Sequence, residues 1–146
     1  MSFKTNKKAF LDPANPDSIL SIYCTLVGVE LALKDANISS PSGHDVPAML
    51  QQLSTSANGL PIISAQLNSL IAQLKLDLSS VTCQGKNGQP ISVPAHSYPY
   101  LRYSRQTGDW GGVGETSGAL IVSLESTCRN LRAFLTTHGT GLGVQL

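Results

Sequence analysis

The sequence predicts an all-α fold, an irregular four-helix bundle with one long loop before its last helix. Apolar residues recur at three- and four-residue spacing in three separate segments, and prolines and capping residues punctuate those segments. No stretch alternates long enough to make an extended strand. In residues 16–36 the stripe is Ile19, Ile22, Leu26, Val29 and Leu33, with Asn15 as N-cap, Pro16 in the first turn, and Asn37 with Ser39-Ser40-Pro41 as the stop. A shorter helix is capped by Asp45, carries Pro47 in its first turn, turns Val46, Met49, Leu50 and Leu53 inward and stops near Ser54. A third opens at Pro61 and runs to about Ser80 on Ile63, Leu67, Leu70, Ile71, Leu74 and Leu78. Ile62 and Leu76 lie off that stripe, so burial on two sides is expected of it. The last helix runs from about Thr116 to Thr137 on Leu120, Leu124, Cys128, Leu131 and Leu135, with Gly139 as its C′ residue.

The chain of 146 residues fits one domain, read as residues 1–146 with an arm at 1–15, a long loop at 84–114 and a frayed tail at 139–146. Charged residues are only 13 %, about half the usual share. Such a surface has little electrostatic protection against self-association, and a homodimer with the last helix or the 96–110 loop in its interface is expected. A net charge of +1 excludes wholesale tracking of a phosphate backbone, although a local basic site is compatible with it. Lys4, Lys7 and Lys8 are followed by Asp12, Pro13 and Pro16 rather than by an apolar run, so they do not form a secretory signal. No run of about 18 apolar residues exists, which argues against a membrane span. Cys24, Cys83 and Cys128 are odd in number and widely spaced, which does not describe a disulfide framework. Two fall on apolar helix faces, and buried thiols in a reducing, cytoplasmic compartment are expected. The three histidines are scattered, so neither a metal nor another cofactor is expected.

The long loop holds three prolines, six glycines and four of the eight aromatics. Ile91-Ser92-Val93 and Tyr98–Tyr103 are compatible with a short hairpin. His96, Tyr98, Tyr100, Arg102, Tyr103, Arg105 and Trp110 set rings beside guanidinium groups, which suits stacking of single-stranded RNA bases. The same composition suits a loop pinned to the bundle by its own rings, or a dimer contact. Gly111-Gly112-Val113-Gly114 lacks the Lys-Ser/Thr of a phosphate loop.

Two further groups carry polar chemistry. His44-Asp45 reads either as a general base with its orienting carboxylate or as a turn in which Asp45 caps the second helix and His44 packs. Glu30 and Lys34 read as a solvated i,i+4 stripe or, if partly buried, as a pair with each other or with Arg129.

The order of three motifs is informative. Val29-Glu30-Leu31-Ala32-Leu33-Lys34-Asp35-Ala36 precedes Gly43-His44-Asp45-Val46 and Ala48-Met49-Leu50, and Tyr98-Pro99-Tyr100-Leu101-Arg102-Tyr103 precedes the last helix. Over about residues 17 to 138 this resembles the HEPN superfamily of small helical domains. The resemblance implies a four- or five-helix bundle, commonly a homodimer. Many such proteins are metal-independent RNases and toxins of defence or toxin–antitoxin systems. Others lack the catalytic motif and serve as binding or scaffolding partners.

The usual motif is an Arg, a gap of four to six residues and a His near the end of a late helix. Arg132-Ala-Phe-Leu-Thr-Thr-His138 fits that spacing. On this reading His138 moves a proton to or from a ribose 2′-hydroxyl and Arg132 stabilises the charged phosphorane, while Arg129, Arg102, Arg105, Tyr103 and Trp110 hold the RNA. The common form places a polar residue such as Asn directly after the Arg, where this chain has Ala133. The competing reading pairs Arg129 and Arg132 with Glu125 on the solvated face and leaves His138 at the helix C-terminal dipole. Six positions on a continuous helix turn two side chains about 120° apart, so catalysis requires the last helix to end before His138.

Overall fold

A computed structural model describes residues 16–41, 43–85, 90–92, 98, 110–113 and 118–146. Four helices form a bundle: α1 (Pro16–Asp35), α2 (Val46–Ser56), α3 (Pro61–Ser79) and α4 (Gly118–His138). α4 packs against both α1 and α3, and α2 bridges α3 and α1. The arm at residues 1–15 lies outside the described residues. No described helix is long and apolar enough to cross a membrane.

The stripes read from the sequence face the core. Ile22, Leu26, Val29 and Leu33 of α1 are buried with Val46, Met49, Leu50 and Leu53 of α2. Leu67, Ile71, Leu74 and Leu78 of α3 meet Leu124, Cys128, Leu131 and Leu135 of α4 in the same cluster. Local chemistry sets the boundaries. α1 stops where Asn37 adopts the left-handed conformation at φ 63°, which Asn tolerates better than most residues. The Ile38 amide then reaches back to the Leu33 carbonyl at 2.9 Å. α2 starts where the Asp45 carboxylate accepts from the Ala48 amide at 3.0 Å, with Pro47 in the first turn.

Several expectations are corrected. α3 buries one side only: Ile62 is 75 % exposed and Leu76 61 % exposed. Cys24 is exposed and only Cys128 is a buried thiol among the described cysteine side chains, because Cys24 falls outside the arc of the α1 stripe. The tail does not fray at the end of α4. Thr140–Leu142 form a 3-10 turn, and Val144 is fully buried in the core. Gly139 is not left-handed, since its φ is −59°; the left-handed residue is Gly143 at φ 84°. Gly139 is needed for want of room instead: a Cβ there would collide with the Leu135 carbonyl oxygen and come within 2.8 Å of the Val144 oxygen. Its own amide and carbonyl bond Leu135 and Val144, both at 2.8 Å, which pins the tail.

The segment between α3 and α4 is also more ordered in its pairing than expected. β1 (Thr82–Gly85), β2 (Pro90–Ser92) and β3 (Trp110–Val113) make an antiparallel sheet in the order β2-β1-β3. Cys83 lies opposite Ile91 on one side and Val113 on the other, with an irregularity at Gln84/Gly85 towards β3. The strand at Ile91 pairs backwards with β1, whereas Tyr98–Tyr103, the partner expected from the sequence, lies outside the described residues except for Tyr98. Asn87-Gly88 between β1 and β2 is the strongest short-range hairpin signal, and it favours that partner.

Leu26 is 0 % and Leu131 1 % exposed, on opposite walls of the core. A carboxylate placed at either costs several kcal/mol, comparable with the whole stability of a domain. Leu26→Asp and Leu131→Asp are each expected to yield no soluble folded chain by expression and circular dichroism, and normal folding of either would place its stripe on the surface.

Candidate functional site

Glu30 is 6 % exposed in the C-terminal part of α1, and an ionised carboxylate so placed needs donors. Three side chains supply them. The ammonium of Lys34, one turn on, lies 3.3 Å from Oε2. His44, in the turn before α2, brings Nδ1 to 2.8 Å from Oε1, and the Tyr98 hydroxyl donates to the same oxygen at 3.2 Å. A carboxylate only accepts, so His44 Nδ1 carries the proton in this bond. The Tyr98 ring is buried, 5.9 Å from the ring of Tyr23 and edge-on to His44 at 6.2 Å. Burial first, and then the charge and hydrogen bond of Glu30, push the Tyr98 phenol well above its ordinary range, so it stays a neutral donor.

Of the readings open for His44-Asp45, the capping geometry is the one present: the Asp45 carboxylate accepts from the Ala48 amide of α2. The carboxylate on His44 is Glu30, fourteen residues earlier, and the partner of Glu30 is Lys34 rather than Arg129. The Asp45 amide donates to Ser40 Oγ at 3.2 Å, and Gln52 Nε2 donates to the Ser39 carbonyl at 2.6 Å, so the turn is fastened on both sides. Glu30, His44 and Tyr98 come one each from the three segments that carry the family resemblance.

A second buried carboxylate had no signal in the apolar stripes. Asp77 of α3, 5 % exposed, accepts from Ser123 Oγ of α4 at 2.7 Å and from Gln73 Nε2 at 3.0 Å. Cys128 lies in the same α3–α4 seam, and burial, followed by the charges of Asp77 and Glu125, pushes its thiol up to about 12. A thiol so placed is an inert hydrophobe and not a nucleophile.

Arg132 and His138, the pair expected to carry RNA chemistry, are not brought together within one copy of the chain. α4 runs unbroken through His138, so Arg132 and His138 diverge by about 120° around its axis. The His138 ring packs on Phe134 at 4.9 Å. Arg132 is exposed and lines a groove of about 460 Å³ with Cys24, Gly28, Leu31 and Asp35 of α1 and Leu146 of the tail. His138 is not among the residues of that groove. Arg129, on the surface, pairs with Glu125 at 2.9 Å, so of the two arginines only Arg129 takes the Glu125 partner. The backbone of Trp110 lies in β3, while His96, Tyr100, Arg102, Tyr103 and Arg105 lie outside the described residues. No group of three or more metal-ligating side chains occurs among the described residues.

The seam around Cys128 makes stability depend on alkaline pH. Its folded-state pKa of about 12 lies above the ordinary 9.0, so the unfolded chain loses this proton first. The contribution is complete below pH 9 and is lost as pH rises towards 12; the Tyr98 contribution has the same sign and begins above the ordinary phenol value of 10.0. Between pH 9 and pH 10, urea titration is expected to show wild type losing about 1 kcal/mol more than Cys128→Ala. Parallel pH profiles for the two proteins would mean that the thiol titrates normally.

No protein-family model matches the chain, and no curated protein or solved structure shows significant similarity to it.

Proposed function

We propose that the chain is a HEPN-like, catalytically silent subunit that works by binding a partner in a larger defence or regulatory assembly. The observation that supports this most is the continuity of α4 through His138. General acid–base catalysis needs the imidazole within reach of the proton it moves, and phosphorane stabilisation needs the guanidinium at the same phosphate. One copy of this chain directs the two groups to different sides of a helix, and His138 lies on Phe134. The low charge and the net +1 suit a protein partner better than an RNA backbone.

A metal-independent endoribonuclease acting as a homodimer is the second reading, and one observation favours it. Arg132 is exposed in a groove, and no ion pair holds it among the described residues. In that case the mate subunit supplies the imidazole that this copy turns away.

Mixed RNA incubated in EDTA with purified protein separates the two readings. The silent subunit leaves the RNA intact, and an Arg132→Ala, His138→Ala double variant behaves identically. Cleavage by wild type that the double variant loses would establish the nuclease and dismiss the silent subunit.

A further inference from the structure

The outer face of α3 carries a pattern that neither the core nor the proposed function uses. Ile62, Ala65, Ser69, Ala72 and Leu76 are all exposed. They recur at intervals of three, four, three and four residues, the spacing of a coiled-coil seam over two heptads. Isolated exposed apolar residues are ordinary, but five positions in helical register make a continuous stripe. Its ends are large and its middle is small, so a second helix can approach closely at the centre while Ile62 and Leu76 close the two ends.

We propose that this face of α3 packs antiparallel against α3 of a second copy of the chain, about a two-fold axis at Ser69. The stripe reads nearly the same in both directions: measured from Ser69, the other positions lie at −7, −4, +3 and +7. A two-fold interface requires such self-complementarity, because each patch must serve as its own partner. Antiparallel packing sets Ile62 of one copy beside the partner's Leu76, and Ala65 near the partner's Ala72.

Charge selects the same orientation. The seam and its flanking positions, Gln66, Asn68, Gln73 and Lys75, carry a single charge, that of Lys75. Antiparallel packing separates the two Lys75 positions by about 18 Å along the axis, beyond the screening distance, whereas parallel packing would set them side by side. Gln73 is oriented at the seam edge by its bond to buried Asp77, so this flank is already rigid in one copy. One helix pair lies at or below the lower end of specific interfaces, about 1,200 Å² in total, so a reversible monomer–dimer equilibrium follows. This places the self-association suggested by the low charge on α3, rather than on the last helix or the 96–110 loop.

The full chain examined by sedimentation velocity across the micromolar range tests the seam, with circular dichroism confirming the fold of every variant. Wild type is expected to dimerise as concentration rises, and Ala65→Glu or Ala72→Glu to remain folded and monomeric. Under mild oxidation Ser69→Cys is expected to form a covalent dimer well above the wild-type background. Ile62→Cys is expected not to do so, because its mate lies about 21 Å away along the axis. A chain that stays monomeric throughout, with the stripe covered by its own arm or left bare, would overturn the proposal. So would a dimer that both glutamate variants leave intact. Equal cross-linking by Ser69→Cys and Ile62→Cys would overturn the antiparallel arrangement.

Discussion

A carboxylate buried within a helix has few stable solutions. It must be neutralised, or be met by enough donors to replace the water it has lost, and the desolvation at stake is several kcal/mol. Glu30 is met by Lys34 on its own helix, by His44 from the turn before α2 and by Tyr98 from the connection between β2 and β3. Those donors lie 4, 14 and 68 residues away in the chain. Satisfying one charge therefore ties both the α1–α2 turn and Tyr98 to α1. The apolar stripes bring the four helices together, but they do not by themselves say where Tyr98 sits or which way the α1–α2 turn bends. The rings of Tyr23, Tyr98 and His44 pack around the same point and shield it from water, which strengthens each of these bonds.

Glu30, His44 and Tyr98 hold one another in place, and nothing in that cluster requires a substrate. Function has then to be sought on the surfaces the cluster leaves free. α4 offers Arg132 to a groove lined by α1 and the tail, and gives His138 to Phe134. α3 offers a stripe of small residues between two large ones. Both are exposed surfaces available for contact.

The helices were legible because burial of an apolar face imposes a period that the sequence must repeat. The Asp45 cap and the three helix-opening prolines at 16, 47 and 61 are legible because their chemistry is local. What stayed hidden depends on groups distant in sequence or on side chains that compete for one place. The pairing of β1 with β2 is hidden in the sequence because Ile91 has two candidate partners, one before Asn87-Gly88 and one in the aromatic run after it. Glu30 stands out as a charge within an apolar helix, but no sequence pattern reveals that Tyr98 reaches it. Asp77 carries no such signal, since one acidic residue on a helix usually faces water. The tail looked frayed because its glycines suggest freedom, whereas Gly139 lets the chain pass close to Leu135 so that Val144 can enter the core. Arg132 and His138 had the right spacing for a catalytic pair, but spacing does not say whether a helix ends between them.

Glu30 and Tyr98 act as one unit across the fold. A double-mutant cycle on Glu30→Gln and Tyr98→Phe, read by urea denaturation with circular dichroism, measures that coupling directly. The hydrogen bond joins a neutral phenol to a buried carboxylate, so a coupling of about 1–2 kcal/mol is expected, with the double variant less destabilised than the sum of the single ones. Strict additivity within about 0.3 kcal/mol would contradict the account, because it would mean that the Tyr98 hydroxyl finds its place without Glu30.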